Sequence, residues 1–128
     1  MELRRFTRMN TDFMKDLPPQ ILSELIVFED VIPDGIMSAI MHQNPIYNKE
    51  RSHFLNYRPD LLEKLYVARG NRRRLSKEQN SINVDTDENI AFVKKYPQYK
   101  QLIESIVFKD NERNIVKVVP IDQYLAEN

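Results

Sequence analysis

Apolar residues recur at helical spacing in several segments of the sequence, and this periodicity constrains the fold more than any other feature. Ile32, Ile36 and Ile40 repeat four residues apart, as on the side of a helix that faces a core. Pro33 suits the first turn of this helix, where no backbone donor is needed. The dipeptide Asn44-Pro45 predicts its end.

Similar patterns predict further helices. One begins near Pro19, one runs from Pro59 to Arg69, and a short one ends near Tyr96. Residues 46–57 form a polar stretch without an assigned element. The most regular helical period follows Pro97 and consists of Tyr99, Leu102, Ile103, Ile106 and Val107. The periodicity therefore predicts about five helices.

A β element is predicted near the C-terminus. Ile115–Val119 is rich in β-branched residues and follows the turn-forming segment Asp110–Asn114. We therefore expect a mainly α fold with a small β element near the C-terminus. The alternative is an α+β fold in which Ile26–Phe28 and Ile106–Phe108 share a sheet with the C-terminal strand. At the N-terminus, a helix competes with an edge strand at Leu3–Thr7.

Composition narrows the class of protein. The 128 residues contain no linker or repeat, which predicts one domain over residues 1–128. The absence of Cys excludes disulfides, thiolate metal sites and cysteine nucleophiles, and two Gly leave little scope for a Gly-rich phosphate loop. No apolar run approaches the ~20 residues of a membrane span, so we expect a cytoplasmic protein, or a virion component if it is viral. The many Asn, Ile and Lys residues suggest a phage or bacterial genome rich in A and T.

Residue patterns for catalysis or metal binding are absent. His42 and His53 do not have the spacing of a helical ligand pair. The segment Asp85–Asn89 resembles the opening of a calcium loop, but Ile90 stands where the turn needs Gly and Tyr96 where it needs Glu. No G-x-S-x-G nucleophile motif is present. The sequence therefore predicts no enzyme, no cofactor and no metal.

The charges are grouped along the chain. Asp+Glu and Lys+Arg number 19 each, yet residues 16–48 contain five acids and no Lys or Arg, whereas residues 49–77 contain nine bases and three acids. Five bases lie within nine positions without an acid among them: Arg69, Arg72, Arg73, Arg74 and Lys77. Guanidinium groups match phosphate geometry, so this basic segment predicts contact with a nucleic-acid backbone. Contact with an acidic protein surface is the competing interpretation.

A second candidate contact is the Ile/Met stripe of the Pro33 helix. Met37 and Met41 adapt easily to partners, although such a stripe is also typical of a core. The sequence thus predicts a small non-enzymatic accessory or regulatory factor that contacts nucleic acid through residues 69–77. The alternative is a protein–protein interaction or structural subunit of a larger assembly such as a viral particle, or an inhibitor of a host complex.

Overall fold

A computed structural model of the protein describes residues 3–60, residue 63 and residues 84–127. The chain forms two compact units. The sheet unit combines Met1–Asn10 with Ser81–Asn128, and the helical unit is Thr11–Asn80. The single domain that the sequence indicates stays a prediction.

The described part of the helical unit contains four α-helices. They are α1 (Thr11–Lys15), α2 (Pro19–Val27), α3 (Asp34–Gln43) and α4 (Pro45–Tyr57). Proline occupies the first turn of α2 and α4, where its missing N–H leaves no hydrogen bond unmade. The fully buried core side chains include Met14, Leu25, Ile32, Ile36, Ile40 and Tyr47. The helix and apolar side predicted from the isoleucine spacing are therefore confirmed.

Helix α4 corrects the prediction that residues 46–57 form a polar stretch without an element. Asn44 ends α3 and begins α4, because its side-chain Oδ1 accepts a hydrogen bond from the backbone N–H of Tyr47 at 2.9 Å. Asn44 Nδ2 also donates to the carbonyl of Met14 at 2.8 Å. A dipeptide that stops one helix thus starts the next.

The described part of the sheet unit contains three strands and three helical segments. They are β1 (Arg4–Met9), α5 (Val84–Lys95), a 3-10 helix (Pro97–Leu102), β2 (Ile103–Lys109), β3 (Ile115–Pro120) and α6 (Ile121–Glu127). The strand order is β1-β2-β3, and both neighbouring pairs are antiparallel. The central strand therefore comes from the second half of the chain.

The prediction of a mainly α fold with one small β element near the C-terminus is wrong. The chain has a mixed α+β fold with a three-stranded antiparallel sheet, and one edge strand, β1, comes from the N-terminus. The alternative edge strand at Leu3–Thr7 matches β1. The strand that the α+β alternative places at Ile26–Phe28 is wrong, since α2 continues to Val27 and Phe28 is its C-cap.

The helix predicted from Pro97 to Val107 is also wrong. Only its first part is helical, as the 3-10 helix, and the remainder forms β2. Because β2 is the central strand, its apolar residues on either side are shielded by the neighbouring strands, and Ile103, Ile106 and Val107 are all buried. Apolar residues on both sides of a strand remove the two-residue alternation, so the pattern also fits a helix.

The predicted turn between β2 and β3 is confirmed. Asp110 Oδ1 accepts hydrogen bonds from the backbone N–H groups of Glu112 and Asn114, both at 2.9 Å. Arg113 adopts a left-handed conformation with φ 67°. The aspartate thus closes the hairpin that aligns β3 with β2.

Helices α1 to α6, which the structure describes, all fall short of the length and apolar character of a membrane-spanning helix.

Candidate functional site

Strand β1 presents different side chains to the two sides of the sheet. Phe6 pairs with Val107, which pairs with Val118, so these three residues share one side. Arg5 and Thr7 occupy the opposite side, where they contact helices α5 and α6 through side-chain hydrogen bonds. The alternation places adjacent arginines, Arg4 and Arg5, in different environments.

The helix-covered side is held by a polar network around Arg5. One Arg5 amino group donates to the Tyr124 hydroxyl at 2.8 Å, and the other donates to Asp87 Oδ1 at 2.7 Å. Thr86 donates to the backbone carbonyl of Arg5 at 3.0 Å. Asn89 Nδ2 donates to the Thr7 hydroxyl, also at 3.0 Å. These bonds connect β1 to α5 and α6.

The same contacts keep Arg5 charged. Burial alone lowers the pKa of Arg5, but hydrogen bonds and charge interactions with Tyr124 and Asp87 outweigh burial and raise this pKa above its ordinary value. The resulting stabilisation is present below the ordinary pKa of arginine and is lost only above the raised one. Arg5 therefore acts as a permanent structural cation.

The other side of the sheet carries a partly exposed apolar centre with basic neighbours. Phe6 and Val118 are 41% and 43% exposed. Arg4 and Arg8 flank Phe6 along β1, and Lys109 lies beside it with Nζ 4.9 Å from the ring centroid. We call these five residues the Phe6 surface.

The charge of the Phe6 surface is entirely positive. Within the described part of the chain, neither Arg4 nor Arg8 makes a side-chain hydrogen bond or ion pair. The residues paired across this side with Arg4, Phe6 and Arg8 are Lys109, Val107 and Ser105, none of which is acidic. These cations are therefore available to an anionic ligand.

The basic segment singled out in the sequence, with Arg69, Arg72, Arg73, Arg74 and Lys77, lies outside the described residues. Met37 is 3% exposed, and its sulfur accepts a hydrogen bond from the Tyr47 hydroxyl at 3.8 Å. Met41 is half-buried at the end of α3. The structure thus gives Met37 a packing role and leaves Met41 partly accessible.

Metal-binding patterns from the sequence fall on helices. His42 and His53 are exposed on α3 and α4. Asp87 and Asn89, which belong to the calcium-like pattern, lie within α5 and bond to Arg5 and Thr7. Among the residues that the structure describes, no three His, Asp or Glu side chains are grouped as metal ligands.

Sequence reasoning missed Arg4, Phe6, Arg8 and Lys109 as site residues. The available signal is the alternation in β1, which separates Arg4, Phe6 and Arg8 from Arg5 and Thr7 by a two-residue period. Lys109 follows from no local pattern, because its position beside Phe6 depends on the pairing of β1 with β2.

Comparison with known proteins finds no matching family, no matching curated protein and no matching solved structure. The geometry of the chain's own residues is therefore the basis for inferring its function.

Proposed function

We propose that this protein binds single-stranded nucleic acid through the Phe6 surface, as a non-enzymatic accessory or regulatory factor in a cytoplasm. The observation that supports the proposal is a partly exposed aromatic ring on a sheet with three cations around it. None of the residues paired with this side of β1 is acidic. Aromatic rings that stack on bases and cations that track the backbone are the two usual elements of such sites.

The ring of Phe6 provides the stacking element. Its present neighbour is the ammonium group of Lys109. An exposed cation–π contact contributes about 0.5–1 kcal/mol, whereas base stacking on an aromatic side chain contributes about 1–3 kcal/mol. A base therefore replaces the Lys109 ammonium over the ring, and the displaced ammonium becomes available to a phosphate.

The arginines provide the backbone contacts. Arg4 and Arg8 are four residues apart on one strand and on the same side of it, which separates their Cα atoms by about 14 Å. Phe6 lies midway between them. Guanidinium groups at this spacing hold phosphates on both sides of a stacked base. The basic segment at residues 69–77 remains a separate prediction of phosphate contact.

Fluorescence anisotropy with the full-length protein tests the proposal. The probes are a labelled oligothymidylate, an oligouridylate and a duplex of equal length, each measured over a series of salt concentrations. We expect the single strands to bind more tightly than the duplex, because a base within a duplex does not stack on Phe6. We expect Phe6→Ala to weaken single-strand binding about 10-fold, within the range for one stacked base.

The salt dependence of single-strand binding tests the contacts of Arg4 and Arg8 with phosphates. Arg4→Gln/Arg8→Gln is expected to reduce the slope of log affinity against log salt by about 1.4, since each phosphate contact on a single strand contributes about 0.7. The matched control is Lys15→Gln/Lys49→Gln, which removes two exposed positive charges from helices α1 and α4. Equal slopes for both double variants would remove the proposed contacts, as would single-strand binding that Phe6→Ala leaves unchanged.

A separate variant tests the basic segment. Arg72/Arg73/Arg74→Glu reverses three charges, so binding should weaken further if this segment also contacts phosphates. Unchanged affinity in this variant would assign nucleic-acid contact to the Phe6 surface alone.

A second candidate function, an interaction subunit of a larger assembly, is favoured by the edge strand β3. Ile115 and Val116 on this strand are both 55% exposed. Apolar side chains on an edge strand favour pairing with another chain. Light scattering at micromolar concentration tests self-assembly, and a monomer without any protein partner in a pull-down would contradict this candidate.

A further inference from the structure

The helical unit contains an apolar groove between α2 and α4. Its volume is about 680 Å³. Leu22 and Ile26 of α2 form its apolar floor together with Phe54 of α4. Residues of α4 that line the groove recur at the three- and four-residue spacing of one helix side: Ile46, Glu50, His53, Phe54 and Tyr57.

The rim of this α2–α4 groove is apolar and accessible. Val27, Ile46 and Tyr57 are 51%, 57% and 84% exposed. Ile46 and Tyr57 are eleven residues apart on α4, which corresponds to about 16 Å along the helix axis. An occupant that covers this rim extends over three helical turns, which matches the apolar side of a short helix.

The groove also carries a negative charge. Glu50 is exposed, and in the described part of the chain its carboxylate makes no ion pair or hydrogen bond. By contrast, the buried Glu29 is paired with Arg51 at 2.7 Å. Among the described residues that line the groove, no Lys or Arg offsets the charge of Glu50. A basic occupant complements this groove.

From the length of the rim and the charge of Glu50, we propose that the α2–α4 groove binds an amphipathic helix of a partner protein. The helix presents apolar residues at i, i+3 or i+4, and i+7 to the groove, and a Lys or Arg beside them pairs with Glu50. Binding of this kind adds a protein partner to the proposed nucleic-acid function and uses none of the residues of the Phe6 surface.

The test is a selection from a library of displayed helical peptides with one randomised side, using the full-length protein as the target. We expect enrichment of apolar residues at the stated spacing together with Lys or Arg. The enriched peptides are then synthesised and titrated against variants. Ile46→Asp should weaken binding about 10-fold. Glu50→Gln should weaken it about 3-fold, because an exposed ion pair contributes less than a buried apolar contact. A selection against Glu50→Lys should enrich acidic residues in place of basic ones.

The chain offers matched controls for both changes. Val31→Asp places the same carboxylate on another exposed apolar residue that does not line the groove, and Asp16→Asn removes another exposed charge. Both should leave peptide affinity unchanged. Ile46 lies in the first turn of α4, where an aspartate is compatible with the helix dipole, so Ile46→Asp should still fold. Circular dichroism confirms the fold of each variant.

Several results would overturn the proposal. They are the absence of any enriched peptide, enrichment without basic residues, and peptide affinity that Ile46→Asp leaves unchanged. A dimer of the protein that dissociates in Ile46→Asp would assign the groove to a second copy of the chain. Because oligonucleotide binding is measured separately, a failure here is distinguishable from a failure of the nucleic-acid proposal.

Discussion

Two adjacent arginines illustrate how residue position determines chemistry in this protein. Arg4 and Arg5 differ by one position on β1, and the alternation of the strand directs them to opposite sides of the sheet. Arg5 bonds to Tyr124 and Asp87 and holds helices on the sheet. Arg4 belongs to the Phe6 surface and makes no such bond within the described chain. The same residue type is structural at one position and available for binding at the next.

Asn44 is the residue whose replacement should affect the helical unit most clearly. It is 2% exposed, caps α4 and donates to the carbonyl of Met14. Asn44→Ala removes both bonds, and we expect the free energy of unfolding to fall by about 2 kcal/mol, from a lost cap and a buried carbonyl without a donor. Urea unfolding followed by circular dichroism measures the change.

Asn44→Ser separates the two contributions. Serine is as good a cap as asparagine but too short to reach Met14, so this variant should lose about half as much stability as Asn44→Ala. If both variants lose the same amount, the cap contributes nothing measurable and the loss belongs to the Met14 contact.

At the scale of elements, short-range signals succeed where a local interaction determines the structure. The turn at Asp110–Asn114 is predicted correctly because the aspartate bonds to amides two and four residues ahead. Helix α3 is predicted correctly because only one of its sides faces a core. The predictions for β2 and α4 fail for the opposite reason. Burial on both sides gives β2 a helix-like pattern, and α4 has few buried residues to produce any pattern.

The β2–β3 hairpin allows a prediction about backbone conformation. Arg113 has φ 67°, a region that costs a residue with a side chain about 1–2 kcal/mol. Arg113→Gly removes this cost but adds about 0.5–1 kcal/mol of chain entropy. We therefore expect a net gain in stability of about 0.5 kcal/mol. Amide hydrogen exchange measures this gain, which should appear as slower exchange in β2 and β3.

Arg113→Val is the opposing variant, because a β-branched residue is strongly disfavoured at positive φ. It should lower the protection of the same amides, and Arg113→Asn should lie between Gly and Val. Equal amide protection in Arg113→Val and Arg113→Gly would contradict the role of backbone conformation at this position.

The whole molecule combines two proposed surfaces, and each is formed entirely by residues of one unit. The sequence-wide charge of zero is a cancellation between blocks of opposite sign. Residues 3–10 contain three arginines and no acid, whereas the described lining of the α2–α4 groove contains Glu50 and no Lys or Arg. The Phe6 surface is therefore suited to an anionic ligand and the α2–α4 groove to a cationic one.

Because the two surfaces share no residue, we expect them to bind their ligands independently. Ile46→Asp should leave the affinity for single-stranded oligonucleotides unchanged, and Phe6→Ala should leave the affinity for a selected helical peptide unchanged. The measurement is a titration of each ligand in the presence of a saturating amount of the other. A shift in either affinity would show a coupling free energy between the surfaces.

The sequence by itself determines the helix-start prolines, the apolar side of α3, the turn before β3 and the grouping of charges, because each depends on residues a few positions apart. Only the tertiary structure decides that β1 and β2 pair, that Lys109 lies beside Phe6, and that α2 and α4 form a groove. These contacts join residues distant in the chain. Their stability comes from buried surface and strand pairing, which no local spacing encodes.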